Sequence, residues 1–314
     1  MSKTKVEKII IIGNGFDLWQ GLPTSYVDFK KYYEQNKKQF SIDLDINFIV
    51  STDNILYTKF DLFYELINCN EIMSKDEIFW NDFESSLSLL DHDQILTAYG
   101  KENDDIYDLY NDLQDAYIII RKLFCKWISS IKIQSNKLLY NFGNSVFINF
   151  NYTDTINKRF RVDRGNIIHI HGTAQKEESI VFGHGYKISD PELPIWAANG
   201  RMLESLIIYS LLNISYKDTN KHWCRVENYI KRNIPDINDI RDVYVLGHSL
   251  GEIDLPYFFK LHKLLPRTTK WHFSYFDSKE NIEQFCRAKN IVNLQIDKIE
   301  TIMQEFRNSN TSDK

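Results

Sequence analysis

Residues 8–12 read Lys-Ile-Ile-Ile-Ile and run straight into Gly13-Asn14-Gly15. Four consecutive isoleucines leave no polar face, so a strand made from them must be covered on both sides. Sheets of that kind are parallel and carry helices on both faces, which directs the chain to an α/β fold. Six further short runs of β-branched and aromatic residues stand at 145–150, 167–171, 179–182, 242–246, 271–276 and 291–296. Helical patterns separate several of them, at 255–265, 280–288 and 299–306. From about 26 to 141 the chain reads as mostly helical, with Phe79, Trp80, Phe83, Leu87 and Leu90 at helical spacing and Ile118, Leu123, Trp127 and Ile131 more loosely so. A second helical stretch covers 200–234. The expected architecture is one α/β domain over 1–314, with a mostly parallel sheet and helical insertions at about 26–141 and 200–234 forming a second lobe.

Composition narrows the function classes. With 314 residues, 43% hydrophobic and 26% charged, the chain has the balance of a folded protein. No apolar run approaches the roughly 20 residues of a membrane span. Lys3, Lys5 and Lys8 precede an apolar run too short for a signal-peptide core, so a cytoplasmic protein with no membrane partner is expected. A net charge of -5 argues against nucleic acid as the main partner. Cys69, Cys125, Cys224 and Cys286 are far apart in sequence, as buried free thiols would be, and form no zinc or disulfide framework.

Glycine is scarce. There are 12, where ordinary usage of about 7% would give roughly 22. Eight fall at the ends of four expected strands: Gly13, Gly15 and Gly21; Gly172; Gly183 and Gly185; Gly247 and Gly251. In an α/β sheet such ends converge on one crevice. The first turn fits either a structural strand-to-helix turn or a phosphate cradle, in which backbone amides approach an anion. As a dinucleotide fingerprint it is incomplete, since Leu18 stands where GxGxxG needs glycine. In His169-Ile170-His171-Gly172 both histidines share a strand face, compatible with core packing, ligand contact or, less well, zinc. His184 lies in a tight Gly-His-Gly turn. Gly247-His248-Ser249-Leu250-Gly251 has the GxSxG form of a hydrolase nucleophile elbow, but only 63 residues follow, and His262 and His272 are poorly placed as the base.

Asn149 and Asn151 alternate with phenylalanine at another strand end, where an amide can hold a ribose hydroxyl or a water. Thr153 or Asp154 next to them suits the cap of a following helix. Glu84 sits at the edge of the Phe-Trp-Asn-Asp-Phe-Glu helix pattern, either solvated or functional.

Taken in order, GNGFDLWQGLPTSY, FWNDFE, FNYTD, HIHG, IVFGHG and GHSLGEID resemble the bacteriophage abortive-infection AbiH family from Ile9 to about Phe258. More distantly, the motif order is similar to the sirtuin-like NAD-binding fold. The resemblance implies a Rossmann-like sheet and an antiphage role, with NAD or a related nucleotide as ligand or substrate. It is compatible with a phage-derived trigger and with a homo-oligomer. It carries catalytic roles to Asn151 and His171. It carries nucleotide contacts to Gly13, Asn14, Gly15, Phe16, Asp17, Gly21, Pro23, Gly172, Gly247, His248, Ser249 and Asp254. The four-cysteine zinc module of sirtuin deacetylases is absent, and no metal is implied. On this reading the backbone amides of Asn14 to Phe16 hold the pyrophosphate and His171 acts as general base. Cleavage of the nicotinamide–ribose bond, non-catalytic nucleotide sensing and a serine hydrolase built on Ser249 are the three functions to separate.

Overall fold

The computed structural model describes residues 5–43, 49–50, 56–57, 103–134, 140–181, 183, 218–275 and 278–307. The FWNDFE segment with Trp80 and Glu84, His184 and Gly185, Cys69, and residues 200–217 lie outside them. The isoleucine run forms β1 (Lys8–Ile12), in the middle of a six-stranded sheet. It pairs in parallel with β2 (Ser145–Asn149) on one side and β4 (Asp242–Leu246) on the other. β3 (Ile167–His169) extends the sheet beyond β2, and β5 (Lys270–Tyr275) and β6 (Leu294–Lys298) extend it beyond β4. Every pairing is parallel, and the order β3-β2-β1-β4-β5-β6 is the Rossmann order. The strand sequence reverses between β1 and β4, and ligands of such sheets bind at the carboxyl ends there.

The central position explains the unbroken isoleucines. Ile9 and Ile11 enter a core with Val146, Val243 and Phe273, while Ile10 and Ile12 enter another with Phe147 and Leu246. Helices cover both faces. On the first lie α5 (Thr219–Asn233), α6 (Leu255–Leu264) and α7 (Glu280–Lys289), through Val226, Phe258 and Phe285 among others. On the second lie α1 (Asn14–Trp19), α4 (Thr155–Phe160) and α8 (Ile299–Gln304), through Phe16, Ile156 and Ile302.

The chain divides into two compact units, one of residues 1–24, 128–180 and 218–314, the other of 25–127 and 181–217. The first holds the sheet. In the second, α2 (Tyr26–Asp43) meets α3 (Asn103–Ser130) through Phe29, which lies 5.5 Å from Phe124 and 5.2 Å from Trp127, ring centre to ring centre. A two-stranded antiparallel ribbon joins Ile49–Val50 to Leu56–Tyr57.

Several expectations shift. The run at 179–182 is not a strand where it is described: Glu177–Ser179 forms a 3-10 turn held by the Ser179 hydroxyl, which donates to the Lys176 carbonyl at 2.6 Å. The last strand starts at Leu294, because Asn290 closes α7 in a left-handed conformation and returns the Ile291 amide to the Cys286 carbonyl. Within 200–234, helix Thr219–Asn233 belongs to the sheet unit and covers its face. Cys125 and Cys286 are buried free thiols, but Cys224 is exposed on α5. Among the described residues no helix is long and apolar enough to cross a membrane.

Candidate functional site

The turns after β1 and β4 meet backbone to backbone. The Gly15 amide donates to the Gly247 carbonyl at 2.7 Å, the Gly13 amide to the Leu246 carbonyl at 3.0 Å, and the Phe16 amide to the Gly13 carbonyl at 2.9 Å. A Cβ on Gly13 would stand 2.6 Å from the His248 Cα, and one on Gly247, whose φ is +65°, 2.0 Å from the Phe16 nitrogen. These glycines therefore allow two loops to touch. The Gly15 and Phe16 amides, expected to cradle a pyrophosphate, are engaged by carbonyls of the protein instead. Phe16 itself is a core residue, fully buried and 5.3 Å from the Phe160 ring. Downstream, the Asn14 amide group donates to the Thr24 carbonyl at 3.0 Å, and Gly21, with φ +74°, and Pro23 are exposed in the loop between.

Asp17 points inward. It is 0% exposed, and its Oδ2 accepts the Thr153 hydroxyl at 2.5 Å. Oδ1 is buried and has no hydrogen-bond partner among the described residues. Burial pushes the carboxyl up to about 6, against the lowering influence of Thr153, Thr155 and Asn151. Asn151 lies two residues past the end of β2. Its side-chain amide donates to the Gly13 carbonyl at 3.1 Å, and its backbone amide donates to Asn149 Oδ1 at 2.9 Å. Neither neighbour caps α4 with its side chain: Thr153 serves Asp17, and Asp154 accepts from Arg164 at 3.2 Å and from Gln175.

The two histidines of His-Ile-His part company. His169, on β3, sits 3.7 Å from Asp154 and against the Asn151 carbonyl at 3.2 Å, and burial lowers its pKa. His171 lies beyond the strand, with Nε2 3.3 Å from Asp254 Oδ1. His248 approaches the same carboxylate from the other side, its Nε2 3.5 Å from Oδ2. The Leu250 amide donates to His248 Nδ1 at 3.0 Å, which leaves the Nε2 proton facing Asp254. Phe150 stands edge-on to both imidazoles, at 5.4 Å from His171 and 4.4 Å from His248. The imidazole side chains are each 4% exposed and the Asp254 side chain 21%, so solvent reaches the trio through the carboxylate. Among the described residues no three metal-ligating side chains are grouped to hold an ion.

Ser249 is exposed, and its carbonyl accepts the Asn281 side chain at 3.1 Å. α6 starts only at Leu255, so the strained strand-to-helix elbow does not form. No imidazole is bonded to its hydroxyl among the described residues. His272 is bound instead to Asp242, at 2.8 Å, at the amino end of β4. Gly172, with φ +80°, closes onto Ser179, whose carbonyl would lie 2.0 Å from a Cβ there.

Asn151, His171, His248 and Asp254 were expected separately from the sequence, and the structure adds that Asp254 lies between the two histidines. Asp17, expected as a ligand contact, is the buried partner of Thr153. The contacts of His171 with Asp254 and of Thr153 with Asp17 join loops far apart in the chain, so no spacing signals them.

The sequence model of the family described as bacteriophage abortive infection AbiH matches residues 9–275, most of the chain. No curated protein matches it.

Two predictions follow from the packing of these loops. Gly247→Ala forces a side chain into the Phe16 backbone and should cost about 2–4 kcal/mol, read by urea unfolding; a loss within about 0.5 kcal/mol contradicts the close contact. Asp17 has a native pKa of about 6 against an ordinary 3.8, so the folded state binds its proton more tightly. The stability this carboxyl removes therefore grows as pH rises from about 4 to about 6, and is constant above. Between about pH 5 and pH 8 the parent should lose about 1–2 kcal/mol relative to Asp17→Asn; parallel pH profiles of unfolding in the two proteins contradict it.

Proposed function

The chain belongs to the bacteriophage abortive-infection AbiH family, which supports a role in phage abortive infection, and we propose that it acts there by cleaving NAD or a related nucleotide at the nicotinamide–ribose bond. The observation that carries this reading is Asp254 at 3.3 Å from His171 and 3.5 Å from His248, at the carboxyl ends of a Rossmann-ordered sheet. The resemblance of the strand-end motifs to sirtuin-like proteins supplies the choice of NAD.

A carboxylate beside an imidazole orients the ring and stabilises its charged form, which is what a general base needs. His171 takes a proton from water as the water oxygen bonds to the ribose carbon. The carbon–nitrogen bond breaks, and its electron pair neutralises the pyridinium ring, so nicotinamide leaves uncharged. The ribose passes through an oxocarbenium-like state, as in glycoside hydrolysis. Asn151, tied to Gly13 through its amide nitrogen, has its carbonyl oxygen to offer a ribose hydroxyl. Asp17 and Thr153 hold that loop in place from the β1 side. The Gly15 and Phe16 amides take no part in holding the pyrophosphate, since both serve internal carbonyls.

Burial of both imidazoles favours a second reading, in which the same strand ends bind a nucleotide without cleaving it. Product separates the two. Purified protein incubated with NAD should release nicotinamide and ADP-ribose, measured by chromatography and mass spectrometry. His171→Ala, Asn151→Ala and Asp254→Asn should each lower that rate by about 10²–10⁴-fold. NAD loss at the parent rate in His171→Ala overturns the assignment, and intact NAD carried through purification without turnover supports sensing.

A further inference from the structure

A second feature of the sheet unit lies outside this constellation. An open cleft of about 940 Å³ runs beside β3, at the edge of the sheet. Its walls come from the loops flanking β3 and from the outer side of α5. Arg164, Lys176, Arg225, Lys231 and Arg232 line it, and the only carboxylate among its described lining residues is Asp154. That single acid is bound to Arg164 at 3.2 Å and to Gln175, so it does not offset the other cations. Lys231 pairs with Glu227 along the helix at 2.7 Å. Lys176 and Arg225 make no ion pair among the described residues.

Local sequence builds this wall. Arg225 and Arg232 stand seven residues apart on α5 and share one side, while Val226 and Ile230 face the sheet core. A chain of net charge -5 has thus gathered five cationic side chains from three segments around one concavity. Asp154 and Glu227 offset two of these charges, and the remainder leaves the concavity net positive, a field that attracts anions.

We propose that this cleft binds the phosphodiester backbone of a single nucleic-acid strand. The lining cations come from before β3, from after it and from α5, so a chain of phosphates meets more of them than one phosphate group does. A single strand presents that phosphate repeat to one concave wall. No exposed aromatic ring lines the described wall, so contact is through phosphates and is indifferent to sequence. The acidic balance of the whole chain does not oppose this, because screening confines each charge to about 8–10 Å at physiological salt.

The test uses the full chain and a fluorescent oligothymidine of about 12 nucleotides, with anisotropy read from about 50 to 200 mM salt. Binding should weaken steeply with salt. Lys176→Glu and Arg225→Glu should each weaken it at least about fivefold at the lowest salt and flatten the log–log salt slope by about 0.7. Lys263→Glu, an exposed charge reversal on α6 outside the cleft, should leave both unchanged. Cooperative melting of each variant checks that it is folded. No binding by the parent, equal loss in Lys263→Glu, or unchanged binding in Lys176→Glu/Arg225→Glu overturns the proposal. So does full displacement of the strand by inorganic tripolyphosphate at equal phosphate concentration, which would make the cleft a site for small polyphosphates.

Discussion

The backbone contact between the turn after β1 and the loop after β4 is the constraint on which the site depends. Gly15 and Gly247 can be joined at 2.7 Å only because neither carries a side chain at the point of approach. That contact lies where the strand order reverses, where many Rossmann-ordered proteins keep an open crevice. His248 packs its backbone against Gly13 and turns its ring toward Asp254, and Asn151 is drawn over Gly13 by its own amide. The Gly247 amide is held in turn by the Ser274 hydroxyl at 2.7 Å, so β5 also sets the loop's position.

Around that contact the buried polar groups form two linked sets. Asp17, Thr153 and Asn151 tie the β1 and β2 loops together with one partly satisfied carboxylate. A buried carboxyl with one unbonded oxygen is a costly arrangement, and its raised pKa is the direct expression of that cost. Such groups gather at sites that handle ligands or protons. The His171–Asp254–His248 trio is the second set, walled by the apolar ring of Phe150. Here one carboxylate serves two imidazoles, which fixes both rings while leaving the acid itself the most exposed member.

Much of the frame was legible beforehand. The isoleucine run, the short apolar segments and the helical patterns near the carboxyl end are local signals, since covering both faces of a strand demands apolar residues at every position. The segment at 179–182 differs because Ser179 ends a 3-10 turn whose backbone closes on Gly172, a contact that residue type along the segment does not signal. The glycine positions were informative in place but ambiguous in meaning. Close backbone approach to a phosphate and close approach to another loop require the same absence of Cβ, and only the neighbour distinguishes them.

By itself, the amino-acid sequence determined a parallel α/β sheet and the strand ends where glycines and polar residues such as Asn151 and His171 gather. Those are properties of periodicity and of residue type at a position. The tertiary structure alone decided the strand order, the pairing of His171 and His248 on one carboxylate, the inward turn of Asp17 and the cationic cleft beside β3. Each of these depends on distances between segments remote in the chain, and charge or hydrogen-bond partnership acts through space with no trace in sequence spacing.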